Sequence, residues 1–401
     1  MLLLVAAAAA AAAGDGASVR RTIESDDDGD VIDCVDIYQQ PALKHAPLQH
    51  APRDLKAKPE ITMEAMVAAA APLASKPQQL HQTWWKNGSC PAGTVPIRRD
   101  SSRANPEIAE LVRRSSPFGR PGSSRAGSYN QSAMAAPPGG KVEVAAAFAT
   151  NAPYLGARAR LPYWKVNVHP AGEFSMSYIL IGNTLDTDYV AIKGADPPPH
   201  LTNQIAVGLV AWPSLFGDSL SRTFVYYTND EGVANNCFNL DRGGFVHTGN
   251  DKHFALGGSF FPDSQVGGDL FTVTFGIHRD PAGNRWWVSV MDQEIGYYPE
   301  SVFNTRFPDA AYVEMGGRVL DSRPGGKHTT TPMGSGMPAC AGWGFAATII
   351  QYLGVSSDGV LFNDDASKTI ATTLLRSQYS GLGQVEGWFR HCVWRARWNP
   401  L

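Results

Sequence analysis

Along most of the chain after Val142, apolar and polar residues alternate in short runs, and this pattern predicts β-strands. Turn sequences rich in Gly and Pro separate the runs, and a hairpin is predicted around Pro281. Repeated short strands with such turns are typical of a two-sheet antiparallel sandwich, so the fold class is predicted to be all-β. The clearest runs are residues 174–181, 223–228, 270–277 and 286–291.

Two further strands carry the residues that bear on chemistry. Residues 202–212 form a mostly apolar run closed by Pro213, with Ala206 and Gly208 on one face because side chains alternate along a strand. Residues 311–320 place Glu314, Gly316 and Arg318 together on one face in the same way. We expect these two faces to line a common cleft.

The part of the chain before Val142 has a different pattern. Residues 1–13 are apolar with small residues at their end, which predicts a signal peptide. Residues 26–30 are almost all Asp and are expected to form a solvated loop, and residues 60–71 have a helical composition that ends before Pro72. Residues 105–138 are rich in Ser, Pro, Gly and Arg and predict a flexible linker with sites for proteolytic nicking.

Several long sequence motifs occur in a fixed order over residues 31–100 and 140–355. They resemble those of the neprosin family, secreted plant proteins whose active members are glutamic prolyl endopeptidases. The matching motifs are Val-Ile-Asp-Cys-Val-Asp-Ile-Tyr-Gln-Gln-Pro-Ala from Val31, Asn-Gly-Ser-Cys-Pro from Asn87, Gly-Phe-Val-His-Thr from Gly244, Gly-Tyr-Tyr-Pro from Gly296 and Gly-Gly-Lys-His-Thr-Thr-Thr from Gly325.

The resemblance implies a catalytic pair of glutamates that face each other in the cleft of the sandwich. The positions matching this pair are Ala206, in Ile-Ala-Val-Gly-Leu, and Arg318, at the end of Val-Glu-Met-Gly-Gly-Arg. Glu314 is retained, but it matches the non-catalytic Glu of that motif. Because Glu314 is about 13 Å along the strand from Arg318 at roughly 3.3 Å per residue, we do not expect it to replace the missing group.

These two replacements predict a catalytically impaired protein, a pseudoenzyme. Alanine carries no exchangeable proton and arginine stays charged at ordinary pH, so neither can act as the acid or base of peptide cleavage. Two alternatives stay open: an active glutamic-type prolyl endopeptidase that uses Glu314, and a cell-wall glycan-binding module. The glycan module would use aromatic pairs, of which we expect one ring in the core and one at the surface: Tyr163-Trp164, Tyr226-Tyr227, Trp286-Trp287 and Tyr297-Tyr298.

The resemblance also implies a domain organisation. Residues 26–104 match an activation-peptide segment, either a propeptide that is removed or a retained subdomain, and residues 139–401 form the peptidase-type domain. The family pattern pairs Cys34 with Cys90. Cys237 matches half of a second pair, whose other position is Arg242, so the sequence leaves open how Cys237, Cys340 and Cys392 pair.

Composition narrows the choice of partners. The 401 residues are 43% hydrophobic and carry a net charge of −3, which favours a sizeable core and gives no reason to expect a nucleic-acid or membrane partner. We expect an extracellular protein with a peptide or proline-rich protein as ligand, no cofactor and no metal. Asn87 and Asn130 are candidate glycosylation sites, and the oligomeric state stays open.

Overall fold

The structure is a computed structural model, and its described residues fall into fifteen stretches. The predicted signal peptide, most of the predicted linker, Asn130, Cys340 and Cys392 lie outside the described residues. The described residues are 18–45, 48, 55–70, 80–99, 118, 141–150, 153–170, 172–183, 203–230, 235–240, 243–249, 254–323, 329–337, 341–364 and 369–372.

The regular structure of these residues is almost entirely β. The strands are β1 Val19–Glu24, β2 Val31–Asp36, β3 His81–Gln82, β4 Thr94–Arg98, β5 Lys141–Ala149, β6 Gly156–Pro162, β7 Ser175–Gly182, β8 Gln204–Ala211, β9 Arg222–Thr228, β10 Asn236–Phe238, β11 Val246–His247, β12 Phe260–Phe261, β13 Thr272–Asp280, β14 Arg285–Val290, β15 Gln293–Pro299, β16 Tyr312–Asp321, β17 Ile350–Val355, β18 Leu361–Phe362 and β19 Thr369–Thr372. The α-helices are α1 Met63–Ala69 and α2 Pro213–Phe216, and 3₁₀ turns cover Ile37–Gln39, Pro41–Lys44, Thr83–Asn87 and Glu300–Val302.

Two antiparallel sheets form the body of the molecule. The front sheet has the strand order β10-β9-β8-β7-β16-β5-β19, and the back sheet has the order β11-β15-β14-β13-β6-β17-β18. Apolar side chains from both sheets, such as Ile179 and Val207 from the front and Phe275 and Val288 from the back, share one buried cluster. The predicted all-β sandwich is therefore confirmed, and burial of the apolar face of each alternating strand is its cause.

The N-terminal residues form a smaller unit that packs against the sandwich. Strands β1, β2 and β4 make a three-stranded antiparallel sheet, and a disulfide joins Cys34 in β2 to Cys90. Helix α1 is capped by Thr62, whose hydroxyl accepts from the Ala65 backbone N–H. Met63 and Met66 of α1 pack against β17 and β18 of the back sheet.

The Asp-rich stretch is exposed at Asp26, Asp27 and Gly29, as a solvated loop would be, but Asp30 and Asp28 depart from this prediction. Asp30 is buried and accepts hydrogen bonds from Arg222 at 2.6 Å and from Arg98 at 2.7 Å. Asp28 accepts from Thr83 at 2.7 Å and also from Ser259. The stretch is ordered because the sandwich and the N-terminal sheet supply cations and hydroxyls for its carboxylates, which a local sequence pattern cannot show.

The four aromatic pairs differ from the sequence-based expectation as well. Both rings of every pair are buried, since the two sheets are covered on their outer faces too. On the back sheet, for example, Met63 of helix α1 lies over Gly276 and Ser289. These rings therefore do not form the open aromatic surface that the glycan-binding alternative requires.

Candidate functional site

The front face, the side of the front sheet that points away from the back sheet, carries the predicted site residues. Strands β8 and β16 both pair with β7, so Ala206 and Glu314 lie level with each other on either side of Leu180. Gly208 and Gly316 flank Tyr178 in the next row. The structure thus brings the two predicted faces together around the central strand β7.

Arg318 lies one row further along the same face. It pairs with Met176 of β7, opposite Val210 of β8, and is therefore two rows away from Ala206. The two family positions share one face, but they are diagonal rather than level. Arg318 is directed to Glu314, as its hydrogen bonds show.

Arg318, Glu314 and Tyr178 form one hydrogen-bonded cluster. Arg318 Nη2 donates to Glu314 Oε1 at 2.9 Å, and Arg318 Nε donates to the Tyr178 hydroxyl at 2.9 Å. The Tyr178 hydroxyl in turn donates to Glu314 Oε1. Although the two residues are four positions apart on β16, the long guanidinium side chain of Arg318 spans the one intervening row.

The cluster is closed to solvent. The side chains of Glu314 and Arg318 are each 3% exposed, so their charges neutralise each other in a buried setting. Burial raises the pKa of Tyr178 well above its usual value, although Arg318 opposes this shift. Tyr178 therefore stays protonated and donates, and the Oε1 atom of Glu314 accepts from two partners.

Glycine is required on both sides of Tyr178. A Cβ at Gly208 would collide with the Ser177 carbonyl oxygen, and one at Gly316 would collide with the Ala145 carbonyl oxygen. Gly208 thus allows β8 to approach β7 closely at this row, and Gly316 allows β16 to approach β5. Tyr178 is thereby left without side-chain neighbours in its own row on these two strands, and the space above the row is open to another group.

Phe118 occupies that space. This side chain belongs to the segment predicted as a linker, yet it is 5% exposed and shares an apolar cluster with Ala206 and Tyr178. Its ring centroid is 4.8 Å from that of Tyr178, and the Arg318 guanidinium carbon is 4.7 Å from the Phe118 centroid. Phe118 is thus a buried apolar side chain within the segment whose composition predicts a linker.

Two residues of the site, Tyr178 and Phe118, were missed in the sequence. The alternation of β7 places Tyr178 on the face of Met176 and Leu180, so its position could have been found from the strand pattern. Phe118 stands in a Ser-, Pro- and Arg-rich segment and has no periodic pattern. No local signal assigns it to the site.

The other candidate residues lie away from this site. Asn87 is exposed and donates to Asp26, and Cys237 is buried with its sulfur 3.6 Å from the Asn239 carbonyl oxygen. Among the described residues, no group of three or more His, Cys, Asp or Glu side chains could hold a metal ion. No helix in the described part of the chain is long and apolar enough to cross a membrane.

Two family models match the chain. The Neprosin model matches residues 171–386, which include the whole Ala206, Glu314 and Arg318 site. The Neprosin activation peptide model matches residues 22–135, which include most of the N-terminal sheet, the disulfide and Phe118. The residue that fills the site thus comes from the part of the chain matched by the activation peptide.

Solved structures show more distant likenesses. Scytalido-glutamic peptidase, solved with a peptide-based transition-state analogue, is 8% identical, with 58% of this chain and 88% of that chain covered at a TM-score of 0.28. SCP-B of the Eqolisin family of peptidases, in complex with the tripeptide Ala-Ile-His, is 8% identical, with 58% and 85% covered at a TM-score of 0.25. CG-16, a homodimeric agglutinin from chicken liver, is 12% identical, with 44% and 92% covered at a TM-score of 0.18.

Proposed function

The chain belongs to the neprosin family, and from this premise we propose that it is a peptidase-like protein that binds peptides without cleaving them. The binding site is the cleft, by which we mean the front-face site formed by Tyr178, Ala206, Glu314 and Arg318. Its ligand is a peptide or a proline-rich protein segment. The pairing of Glu314 with Arg318 carries this proposal.

Peptide cleavage by carboxyl groups requires one group that takes a proton from water and another that gives a proton to the leaving nitrogen. Along the described rows of the front face, Glu314 is the one carboxylate, and Arg318 and Tyr178 both donate to its Oε1. Ala206, level with it across Leu180, offers only a methyl group. The cleft therefore lacks the pair of carboxyls with separated pKa values that such chemistry uses.

Peptide binding does not need those carboxylates. Strands β8, β7 and β16 are consecutive neighbours in the front sheet, and the cleft that they form encloses the side chain of Phe118. A site that buries one amino-acid side chain has the size and polarity to take a side chain from another peptide.

We also propose that the protein acts outside the cytosol. The apolar start at residues 1–13 and the Cys34–Cys90 disulfide support this location, because disulfides persist mainly in oxidising compartments. Detection of the protein in the medium of cells that express the full chain would test it, and retention in the cytosol would contradict it.

Peptidase assays on proline-containing peptides at acidic pH test the loss of catalysis. We expect no measurable cleavage by the unmodified protein, because each proton-transfer role is typically worth about 100- to 10,000-fold. The Ala206→Glu/Arg318→Glu double variant restores both family carboxyls. We expect it to gain activity over the unmodified protein, with mass spectrometry of the products as the measurement.

The matched control is the Ala206→Gln/Arg318→Gln double variant, which has side chains of the same size without an acid. It should stay inactive if the gain of the glutamate variant is due to proton transfer. Robust cleavage by the unmodified protein that is lost on Glu314→Gln would overturn the proposal. Such a result would favour an active glutamic peptidase that uses Glu314.

A further inference from the structure

The pocket around Phe118 is made of aromatic rings from two strands, β7 and β9, which lie on either side of β8. The Phe118 centroid is 4.8 Å from that of Tyr178 at an interplanar angle of 82°, an edge-to-face contact. It is 5.0 Å from the ring of Tyr226 and 6.2 Å from that of Phe224, the latter nearly parallel at 29°. Such geometries favour an aromatic guest over an aliphatic side chain of similar volume.

Arg318 adds a cation over the same ring. Its guanidinium carbon lies 4.7 Å from the Phe118 centroid and 5.3 Å from the Tyr178 centroid, within the range of a cation–π contact. Hydrogen bonds to Glu314 and Tyr178 hold the guanidinium in this orientation. An aliphatic guest has no π system, so Arg318 should discriminate between aromatic and aliphatic side chains.

Ala206 suits the same guest. It is the cross-strand neighbour of Tyr226 and belongs to the apolar cluster that includes Phe118. While Phe118 fills the pocket, a glutamate at this position would face aromatic rings rather than water, whereas the alanine methyl group adds to the apolar lining. Both replacements that remove the proton-transfer groups, Ala206 and Arg318, thus fit an aromatic ring.

We propose that the cleft is a recognition site for an aromatic side chain of a peptide ligand and that Phe118 is its intramolecular occupant. This inference rests on the proposed function, a cleft that binds peptides, and adds the class of side chain that it selects. A peptide ligand with a Phe, Tyr or Trp residue takes the place of Phe118 when that side chain is withdrawn.

The test uses the full chain with the Phe118→Ala substitution, which empties the pocket. The probe is a fluorescein-labelled peptide with the sequence of residues 115–120, Ser-Ser-Pro-Phe-Gly-Arg, and binding is measured by fluorescence polarisation. A second peptide carries Leu in place of Phe. We expect the Phe peptide to bind about tenfold more tightly than the Leu peptide, from the cation–π contact and the ring contacts.

Two controls assign this preference to the pocket. In the unmodified chain, Phe118 competes with the probe, so binding of the Phe peptide should be weaker than in the Phe118→Ala chain. The Glu314→Gln/Arg318→Met change, made in the Phe118→Ala chain, removes the cation while leaving no unpaired buried charge. It should reduce the preference for Phe from about tenfold to about twofold, whereas the Arg20→Met change on the exposed surface should leave it unaltered.

The outcomes separate this inference from the proposed function. Equal binding of the Phe and Leu peptides overturns the aromatic preference and leaves the peptide-binding cleft standing. Absence of binding by either peptide, and by proline-containing peptides without an aromatic residue, overturns both.

A second pair of variants tests the inference if the Phe118→Ala chain does not fold. Phe118→Tyr keeps the ring, whereas Phe118→Leu keeps much of the apolar volume without it. We expect trypsin cleavage at Arg114 and Arg125 to be about tenfold faster in the Leu variant than in the Tyr variant, because only the Tyr variant keeps the ring contacts. Equal rates in the two variants would overturn the aromatic preference.

Discussion

Two buried pairs of a carboxylate and an arginine serve this molecule in different ways. Asp30 and Arg222 are 192 residues apart and join the N-terminal unit to the sandwich at 2.6 Å, with side chains that are 1% and 0% exposed. Glu314 and Arg318 are four residues apart on strand β16 and meet at 2.9 Å. The first pair joins two parts of the fold, whereas the second lies within one strand of the cleft.

Their surroundings explain the difference. Arg222 also donates to Asp218 at 2.6 Å and to the Gly257 carbonyl oxygen at 2.7 Å, and Arg98 gives Asp30 a second cation. Burial raises the pKa of Asp30, even though Arg222 and Arg98 lower it. The joint, by which we mean Asp30, Arg98, Asp218 and Arg222, is thus a network across several segments, whereas Glu314 and Arg318 lie on one strand and both bond to Tyr178 of the neighbouring strand. A buried ion pair is therefore not by itself a sign of fold stability; its connectivity decides its role.

The largest effect is expected from breaking the joint with Arg222→Met. This change leaves Asp218 and Asp30 without their shared partner, and we expect the free energy of unfolding to fall by about 3–5 kcal/mol. Urea denaturation followed by circular dichroism measures it. Arg20→Met, which removes the exposed pair with Asp36, is the control and should change stability little. A loss no greater for Arg222→Met than for Arg20→Met would contradict the role of the joint.

Acid should weaken the packing of the N-terminal unit against the sandwich through His278, which lies beside Ile61 near the start of helix α1. Burial lowers the pKa of His278 to about 4, below the value of about 6.5 in an unfolded chain. The unfolded state then binds the proton more readily, so stability is lost as pH falls from about 6.5 towards about 4, by up to about 3 kcal/mol. Glu294, 4.0 Å from His278, opposes this trend because burial raises its pKa.

The measurement is the difference in unfolding free energy between about pH 7 and about pH 4.5. His278→Gln should lose less stability between these values than the unmodified protein does, and the exposed His169→Gln should behave like the unmodified protein. The same acid loss in all three chains would exclude His278 as the group responsible.

The smallest effect is expected from replacing both members of the cleft pair. In the Glu314→Gln/Arg318→Met variant neither charge is left buried alone, so the free energy of unfolding should stay within about 1 kcal/mol of the unmodified value. Arg318→Met alone should cost more than the double change, because it leaves the Glu314 carboxylate without its cation.

Replacing both members of the joint, with Asp30→Asn/Arg222→Met, should not restore stability in this way, since Asp218 and Arg98 also lose partners. Urea denaturation of Arg222→Met, Arg318→Met and the two double variants tests whether the second replacement restores stability only in the cleft pair. If both double variants were equally stable, the distinction between a connecting network and a local pair would fail.

Much of the sandwich could be predicted from local patterns. The run at 202–212 contains strand β8, and the run at 311–320 covers β16 except for its last residue, Asp321. Alternation also placed Ala206, Gly208, Glu314, Gly316 and Arg318 on faces that the structure brings to one side of β7. A strand pattern succeeds here because it depends only on which side of the chain is buried.

The sequence by itself determined the fold class and the presence of an alanine and an arginine at positions 206 and 318 of the front face, because both follow from the kind of residue at each position. Tertiary structure alone decided that Arg318 reaches Glu314, that Asp30 is buried against Arg222 and that Phe118 fills the cleft. Each of these depends on the reach of a side chain across strands or on contacts between segments far apart in the chain, for which residue order carries no local signal.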